Sequence, residues 1–165
     1  MADTDKKASE KAAPQADAPA ITFRVQRIYV KDISFEAPSA PAVFQTPYKP
    51  RVSFNMSTKG NKFQENLYEV VLTMTAEVKD QEDKAMYVIE VQQAGVFEIQ
   101  GLEGEQLTQA LHITCPTVLF PYGRETIDSL ANKGTFPSLM LAPVNFEAVY
   151  LQARQKQQEQ DQGKS

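Results

Sequence analysis

The apolar residues of this chain change their spacing once, near Gly101, and that change limits the folds open to it. Before Gly101, residues 21–36, 52–56, 68–78 and 85–99 alternate apolar and polar side chains with the period of two that is typical of strands. After Gly101, apolar residues recur at the spacing of helices. Strands that all precede the helices, joined by short links, predict an α+β fold with a four-stranded antiparallel sheet that is covered on one face.

The strand patterns also assign side chains to faces of the sheet. The odd-numbered face of the first strand is predicted to be apolar except at Arg27 and Lys31, with Ile21, Phe23, Val25, Tyr29, Ile33 and Phe35. Its even-numbered face ends in Asp32 and Glu36, which a period of two directs to the same side. Val88 and Glu90 share a face of the fourth strand for the same reason. A loop around Gly60 is expected to close the second strand.

Proline, glycine and asparagine predict where the helices begin and end. A short helix through Leu107 is expected to stop near Pro116, and a longer one to begin with Pro121 in its first turn and to end before Gly134. Asn145 is predicted to cap a last helix. Apolar residues recur along that helix at helical spacing: Phe146, Val149, Tyr150 and Ala153.

The two ends of the chain differ from its middle. Residues 1–20 contain no aromatic or branched aliphatic residue and are predicted to form a disordered arm. Residues 21–151 hold all 9 Phe and all 6 Tyr and are predicted to form the single domain. Residues 152–165 are rich in glutamine and are expected to complete the last helix and to end as a flexible polar tail.

Composition excludes several classes of function. The net charge of −4 opposes a broad nucleic-acid surface. One Cys and one His cannot provide an intrachain disulfide or a zinc site of the Cys/His type. No apolar run approaches the roughly 18–20 residues of a membrane span, and the N-terminus lacks the apolar stretch of a secretory signal. The sequence therefore predicts a cytoplasmic protein without a cofactor, nucleic-acid partner or direct membrane insertion.

Catalytic motifs are also absent from the sequence. His112 and Cys115 are three residues apart and form the one conceivable base–nucleophile pair, but Leu111, Ile113 and Pro116 surround them with apolar side chains. We interpret both as structural residues, and the chain is not expected to be an enzyme.

Two proline-rich loops carry apolar residues that a solvated loop does not need. Residues 37–50 contain Val43, Phe44 and Tyr48, and residues 135–144 contain Phe136, Leu139, Met140, Leu141 and Val144. These residues either pack on their own subunit or line apolar grooves that accept another chain, and the sequence leaves both interpretations open.

Four blocks of the chain resemble one known family in its order. They are R-I-Y-V-K-D-I-S-F-E-A-P at 27–38, E-V-Q-Q-A-G-V-F at 90–97, C-P-T-V-L-F-P-Y-G-R-E at 115–125 and G-T-F-P-S-L-M-L-A-P-V-N-F at 134–146. The chain resembles the SecB family of bacterial protein-export chaperones over about residues 21–151. The resemblance implies a four-stranded antiparallel sheet with C-terminal helices packed on one face, and assembly as a homotetramer, a dimer of dimers.

The resemblance further implies an ATP-independent holdase, a chaperone that binds unfolded precursor proteins in the cytoplasm and delivers them to SecA, the ATPase motor of the export translocase. The family's motor-binding patch matches Asp32, Glu36, Val88 and Glu90 in this sequence. An acidic patch suits a basic docking element, and its binding should weaken with salt.

The resemblance also assigns residues to assembly and to client binding. Subunit contacts are implied at Ile89, Val91 and Gln93, with Ile89 larger than the residue expected there. Long hydrophobic grooves are implied between the sheet, the crossover loop and the last helix, with Phe44, Tyr48, Phe54, Met56, Met140, Leu141, Phe146 and Tyr150 as candidates.

Two other functions compete with export. One is a general cytoplasmic holdase of the same fold, for example one that serves a toxin–antitoxin pair. The other is a small-ligand carrier or enzyme, which predicts a closed pocket with convergent polar groups and a dependence on His112 or Cys115.

Overall fold

The computed structural model describes residues 20–162. Strands occupy the first part: β1 Thr22–Glu36, β2 Arg51–Gln64, β3 Leu67–Lys79 and β4 Ala85–Gln100. Helices follow: α1 Gly104–Gln109, α2 Cys115–Lys133 and α3 Phe146–Gln162. The predicted order of strands before helices is confirmed. Of the predicted N-terminal arm, all but residue 20 lies outside the described residues, as do residues 163–165 of the predicted tail, whereas 152–162 continue α3.

The strands form one antiparallel sheet in the order β1-β4-β3-β2. Consecutive strands β2, β3 and β4 are joined by short turns, which is the connection that antiparallel neighbours need. The chain leaves β1 at one edge and must reach β2 at the other. Residues 37–50 make that crossover, with a single 3₁₀ turn at Ala42–Gln45. The predicted four-stranded antiparallel sheet is confirmed.

One face of the sheet, called here the helix-covered face, packs against α2. The side chains of Val70, Leu72 and Met74 on β3 and of Val91 on β4 are completely buried there. Their neighbours in sequence, such as Thr73, point to the opposite face, which is called here the open face. The clean alternation of residues 68–78 was therefore a correct guide to which side chains form the core.

Two bulges make β1 differ from its prediction. The pairing with β4 shifts between Val25 and Arg27 and again between Val30 and Asp32. Each extra residue reverses the alternation of faces. Phe23 and Phe35 pair with helix-covered positions, but Tyr29 pairs with Ala94 on the open face. The prediction of one continuous odd-numbered face was wrong, because it assumed an unbroken pleat through Arg27 and Lys31.

The loop predicted around Gly60 is also wrong. β2 continues through Gly60, which pairs with Val70, and ends only at Gln64. A Cβ at Gly60 would lie 3.3 Å from the Cβ of Leu111, so the missing side chain lets the turn after α1 approach the strand. Glycine here marks a close contact between two elements rather than the end of a strand.

The two predicted helices around Pro116 are one helical rod. A π-helical turn, Ala110–Thr114, joins α1 directly to α2, and Pro116 lies in the first turn of α2. The prediction failed because the wider π turn changes the backbone bonding just where a proline would break a regular helix. Pro121 lies inside α2 with its ring exposed, so the carbonyl that it leaves without a backbone donor can bind water.

The predicted C-terminal end of α2 and the predicted N-cap of α3 are confirmed, whereas the predicted start of α2 was wrong, because the helix begins at Cys115 and Pro121 is not in its first turn. The Gly134 N–H donates to the Leu130 carbonyl at 3.0 Å and closes α2, although the left-handed residue is Thr135, with φ 62°. At the start of α3, the Ala148 N–H donates to Asn145 Oδ1 at 3.1 Å, which is the bond of an N-cap.

Gly95 on β4 provides a test of how α2 is seated. A Cβ there would lie 2.8 Å from Phe97 Cε2 and 3.0 Å from Leu119 Cδ2, and both side chains are completely buried. We expect Gly95→Ala to lower the free energy of unfolding by about 1–2 kcal/mol, because α2 must move to accommodate the methyl group. Urea denaturation measures this, with Gly60→Ala at the edge strand as the matched control. Equal effects of the two changes would contradict the close fit of α2 at Gly95.

Candidate functional site

The four residues predicted to contact SecA lie together on the open face. Asp32 pairs with Gln92, and Glu36 pairs with Val88, while Glu90 lies between them on β4. Paired residues of antiparallel strands point to the same face, so the structure brings all four side chains to one surface. We call Asp32, Glu36, Val88 and Glu90 the acidic platform.

The carboxylates of the acidic platform lack ion-pair partners within residues 20–162. Asp32 and Glu36 are exposed on the edge strand, whereas Glu90 is half-buried and accepts a hydrogen bond from Thr75 Oγ1 at 3.3 Å. The ion pairs on this face involve other carboxylates: Lys31 with Glu69 and Lys79 with Glu77. The acidic platform therefore presents its negative charge to solvent.

Glu77 of β3 lies beside the acidic platform, but its charge is paired with Lys79. It pairs with Val88, on the same face as the acidic platform, and its carboxylate lies 3.5 Å from Lys79 Nζ. The alternation of residues 68–78 predicts Glu77 on the polar face of its strand, but the sequence did not give the register that pairs Glu77 with Val88. The register between β3 and β4 is the information that the sequence prediction lacked.

A second polar cluster lies on the open face, over Ala94 of β4. Lys31 Nζ donates to both carboxylate oxygens of Glu69 at 2.8 Å, and the Tyr29 hydroxyl donates to the same carboxylate. These bonds, from Lys31 first and then Tyr29, lower the pKa of Glu69. Burial, and then the bond to Glu69, raises the pKa of Tyr29 to about 12. The cluster therefore keeps the Glu69 carboxylate ionised at neutral pH.

The apolar loops meet on the other side of the sheet. The ring of Phe136 lies 4.4 Å from that of Tyr87, a completely buried residue of β4. The rings of Phe44 and Tyr48, from the crossover, lie 5.4 and 6.4 Å from Phe136. Phe44 is 49% exposed and Tyr48 38% exposed. We call Phe44, Tyr48, Tyr87 and Phe136 the aromatic stack, and its outer layer is in contact with solvent.

Met140 and Leu141 lie at a second place, over α2. Asp128 Oδ1 accepts hydrogen bonds from the Leu139 and Met140 N–H groups at 2.9 and 3.2 Å, and Arg124 Nη1 donates to the Leu141 carbonyl at 3.3 Å. These contacts fix the loop while Met140 remains 80% exposed. Arg124 and Asp128 were not predicted, because only the folded chain brings them under a loop more than ten residues away.

A cleft of about 440 Å³ between β2 and α3 contains three further candidates: Met56, Phe146 and Tyr150. Phe146 forms part of the core, with 4% exposure and an edge-on contact at 5.9 Å to Phe120. At the rim, Glu105 accepts hydrogen bonds from Tyr150 Oη at 3.0 Å and from Arg154 Nη1 at 2.5 Å.

The eight client-groove candidates therefore fall into separate patches on a single subunit. Phe54 pairs with Ala76 on β3, so its half-buried side chain packs against the core on the helix-covered face. Its contact with a client stays a prediction. Among the eight, Phe44, Tyr48 and Met140 are the exposed ones.

The three residues predicted to form subunit contacts are buried inside this subunit. Ile89 and Val91 are completely buried and Gln93 is 3% exposed, all under α2 on the helix-covered face. Gln93 Nε2 donates to the Tyr29 carbonyl at 3.0 Å, and its Oε1 is buried without a hydrogen bond in the described structure. Because these side chains are buried within the subunit, any part that they have in assembly is indirect, through the elements packed against them, which include β1 and α2.

His112 and Cys115 do not form a base–nucleophile pair. Burial raises the pKa of the Cys115 thiol to about 12, which opposes formation of the reactive thiolate. The ring of His112 instead stacks on Tyr150, with 6.1 Å between the centroids. In the described part of the chain, no three His, Cys, Asp or Glu side chains are arranged to hold a metal ion. No helix described here is both long and apolar enough to cross a membrane.

The arrangement of sheet and helices matches a solved structure. A SecB-like chaperone of Mycobacterium tuberculosis, solved in complex with a peptide from an antitoxin, superposes with a TM-score of 0.62. The match covers 74% of this chain and 90% of that one, at 16% identity. The fold is therefore that of a SecB-like chaperone.

Sequence comparison gives the family. A family model described as preprotein translocase subunit SecB matches residues 15–158. Proteins named protein-export protein SecB are 54% identical over 143 residues in Marinobacter nauticus and 46% identical over 157 residues in Pseudomonas fluorescens. These alignments cover 87% and 95% of this chain, and 86% and 96% of the relatives. The chain belongs to the SecB family of protein-export chaperones, and the resemblance predicted from its sequence is confirmed.

Proposed function

We propose that this protein is an ATP-independent holdase that binds unfolded precursor proteins in the cytoplasm and delivers them to SecA. One observation supports the proposal: the aromatic stack and the acidic platform lie on opposite faces of the sheet, at the same end of it. On the helix-covered face, Tyr87 belongs to the aromatic stack and Phe35 packs against it. The residues that follow them in sequence, Glu36 and Val88, belong to the acidic platform on the open face.

This arrangement suits a protein that must hold two partners at once. An unfolded chain would contact the exposed rings of Phe44 and Tyr48 and the side chain of Met140, which are apolar and tolerant of varied sequences. A basic segment of SecA would meet the acidic platform on the opposite face, so neither partner displaces the other. The surfaces can be tested separately for the same reason.

We propose that the protein works as a homotetramer, a dimer of dimers. Val25, Val30 and Ile33 of β1 face the helix-covered side but remain more than two-fifths exposed, as does Tyr122 of α2. Exposed apolar side chains on an edge strand and on the helix beside it are typical of a surface that a second copy covers. Ile89, Val91 and Gln93 would support assembly indirectly, by setting the position of α2.

Native mass spectrometry and a refolding assay test the proposal together. We expect the full chain to run as a tetramer, to bind a chemically unfolded precursor, and to slow its refolding without ATP. The matched control is the same precursor in its folded form, which should not bind. A chaperone that left the refolding rate unchanged at saturating concentration would contradict the holdase function.

Identification of the proteins that co-purify with this chain would distinguish an export chaperone from a general cytoplasmic holdase. Relatives at 46–54% identity carry the protein-export name, and the acidic platform provides a surface for the motor. We therefore expect precursors with export signals among the bound proteins. Clients drawn only from proteins that stay in the cytoplasm would instead support the general holdase.

A further inference from the structure

Lys31 lies on the same face as the acidic platform, next to one of its carboxylates. In a regular strand Lys31 and Asp32 would point to opposite faces. The bulge between Val30 and Asp32 removes that separation, because the extra residue leaves Lys31 on the open face as well, where it reaches Glu69 of β3. A lysine on a flexible stem beside Asp32 would be expected to neutralise it.

The structure shows Lys31 directed away from Asp32. Its Nζ donates to both oxygens of the Glu69 carboxylate, at 2.8 Å each, across the intervening strand β4. Ala94 is the β4 residue opposite Tyr29, and it is completely buried beneath this crossing. The small side chain of Ala94 leaves room for the longer ones to pass over the strand.

Glu69 is itself held in place by a third group. The Tyr29 hydroxyl donates to the same carboxylate, so Glu69 accepts from two side chains of β1. An exposed lysine–carboxylate pair is usually worth little, but two-oxygen contact and a further donor make this one more specific. The direction of the Glu69 pKa shift agrees with a carboxylate that stays ionised in the cluster.

We propose that Glu69 is a positioning residue for the acidic platform, which holds Lys31 away from Asp32 so that a basic segment of SecA meets uncompensated carboxylates. This inference rests on the proposed docking of SecA at that surface. Glu69 acts through Lys31 and need not touch SecA. An interaction between β1 and β3 thus affects how much negative charge the acidic platform presents.

Glu69→Gln tests the inference, because it removes the charge that holds Lys31 and changes the side-chain shape very little. We expect the full-length chaperone with Glu69→Gln to bind SecA about three- to tenfold more weakly, since the freed ammonium neutralises part of the acidic platform. Adding Lys31→Gln should restore binding to within about twofold of wild type, because no lysine is then left to release. Isothermal titration at low salt gives both affinities.

Glu98→Gln is the matched control. Glu98 is on the open face of β4 and accepts hydrogen bonds from Gln26 and Gln100, without a lysine. The same loss of charge there should leave SecA affinity within about twofold, because it frees no lysine beside the acidic platform. Melting temperature and native mass should match wild type in all variants, so that a change in affinity reports the surface and not the fold.

The possible outcomes separate this inference from the proposed function. If Glu69→Gln bound SecA normally while reversal of the platform charges abolished binding, the positioning role would be wrong and the docking surface would stand. If the double variant bound as weakly as Glu69→Gln alone, Glu69 would act by contact or by structure, and the positioning role would again be wrong. If reversal of the platform charges had no effect, the docking proposal would fail, and the inference with it.

Discussion

Charge reversal of the acidic platform, with Asp32→Lys, Glu36→Lys and Glu90→Lys combined, is expected to weaken SecA binding by about 100-fold or more. The three carboxylates have no ion-pair partner in the described residues, so each reversal turns an attraction to a basic segment into a repulsion. About 1 kcal/mol for each position is enough to reach that factor. Surface plasmon resonance with immobilised SecA, at low and at physiological salt, measures the loss.

The control for this prediction changes the same amount of charge elsewhere. Glu65, Glu103 and Glu159 are exposed and make no side-chain hydrogen bond or ion pair in the described structure. Their reversal to lysine should leave SecA affinity within about threefold at physiological salt, because charges farther than a Debye length are largely screened. Both variants should still slow the refolding of an unfolded precursor. Equal losses in the two variants would mean that net charge, and not the acidic platform, governs the interaction.

The fold could be predicted well where a simple pattern is unbroken. Strand β3 has one buried face, and its other face is polar except at Leu67 and Val71, so the alternation of residues 68–78 identified its core side chains. In β1 the same rule failed, because the bulges near Gln26 and Lys31 reverse the faces and no residue type announces them. The prediction that a helix stops near Pro116 failed for a related reason. The π turn that accommodates Pro116 depends on how the helix packs, and the proline alone does not predict it.

The candidate site shows the same division. That Asp32 and Glu36 share a face follows from their spacing after the second bulge, and the register of β1 with β4 brings Glu90 between them. The resemblance to the family was needed to assign a partner to that surface. The partition of the apolar loops could not be predicted, because it depends on contacts between distant residues. Asp128 holds the loop that exposes Met140, whereas Phe120 helps to bury Phe146.

Replacing the exposed apolar side chains by serine, with Phe44→Ser, Tyr48→Ser and Met140→Ser combined, is expected to weaken the binding of an unfolded precursor about 30- to 100-fold. Each of these side chains offers apolar area that a client would cover, and about 0.8 kcal/mol for each is a modest share of what full burial of such a side chain gives. Fluorescence anisotropy of a labelled, permanently unfolded precursor measures the affinity. SecA binding should stay at the wild-type level, because the acidic platform lies on the other face of the sheet.

Phe146→Ala is the comparison variant for this prediction, because it removes a side chain of the core. Phe146 is 4% exposed and packs against Phe120, so its loss should lower the free energy of unfolding by about 3–4 kcal/mol. The triple serine variant should lose less than this, because Met140 is 80% exposed and the rings of Phe44 and Tyr48 are already 49% and 38% exposed. Changes at the client surface should therefore lower mainly the affinity for the precursor, whereas a change in the core should lower mainly the free energy of unfolding. If the triple variant lost stability as Phe146→Ala does and kept its client affinity, the exposed rings and Met140 would belong to the fold, and the client surface would have to lie in the cleft between β2 and α3.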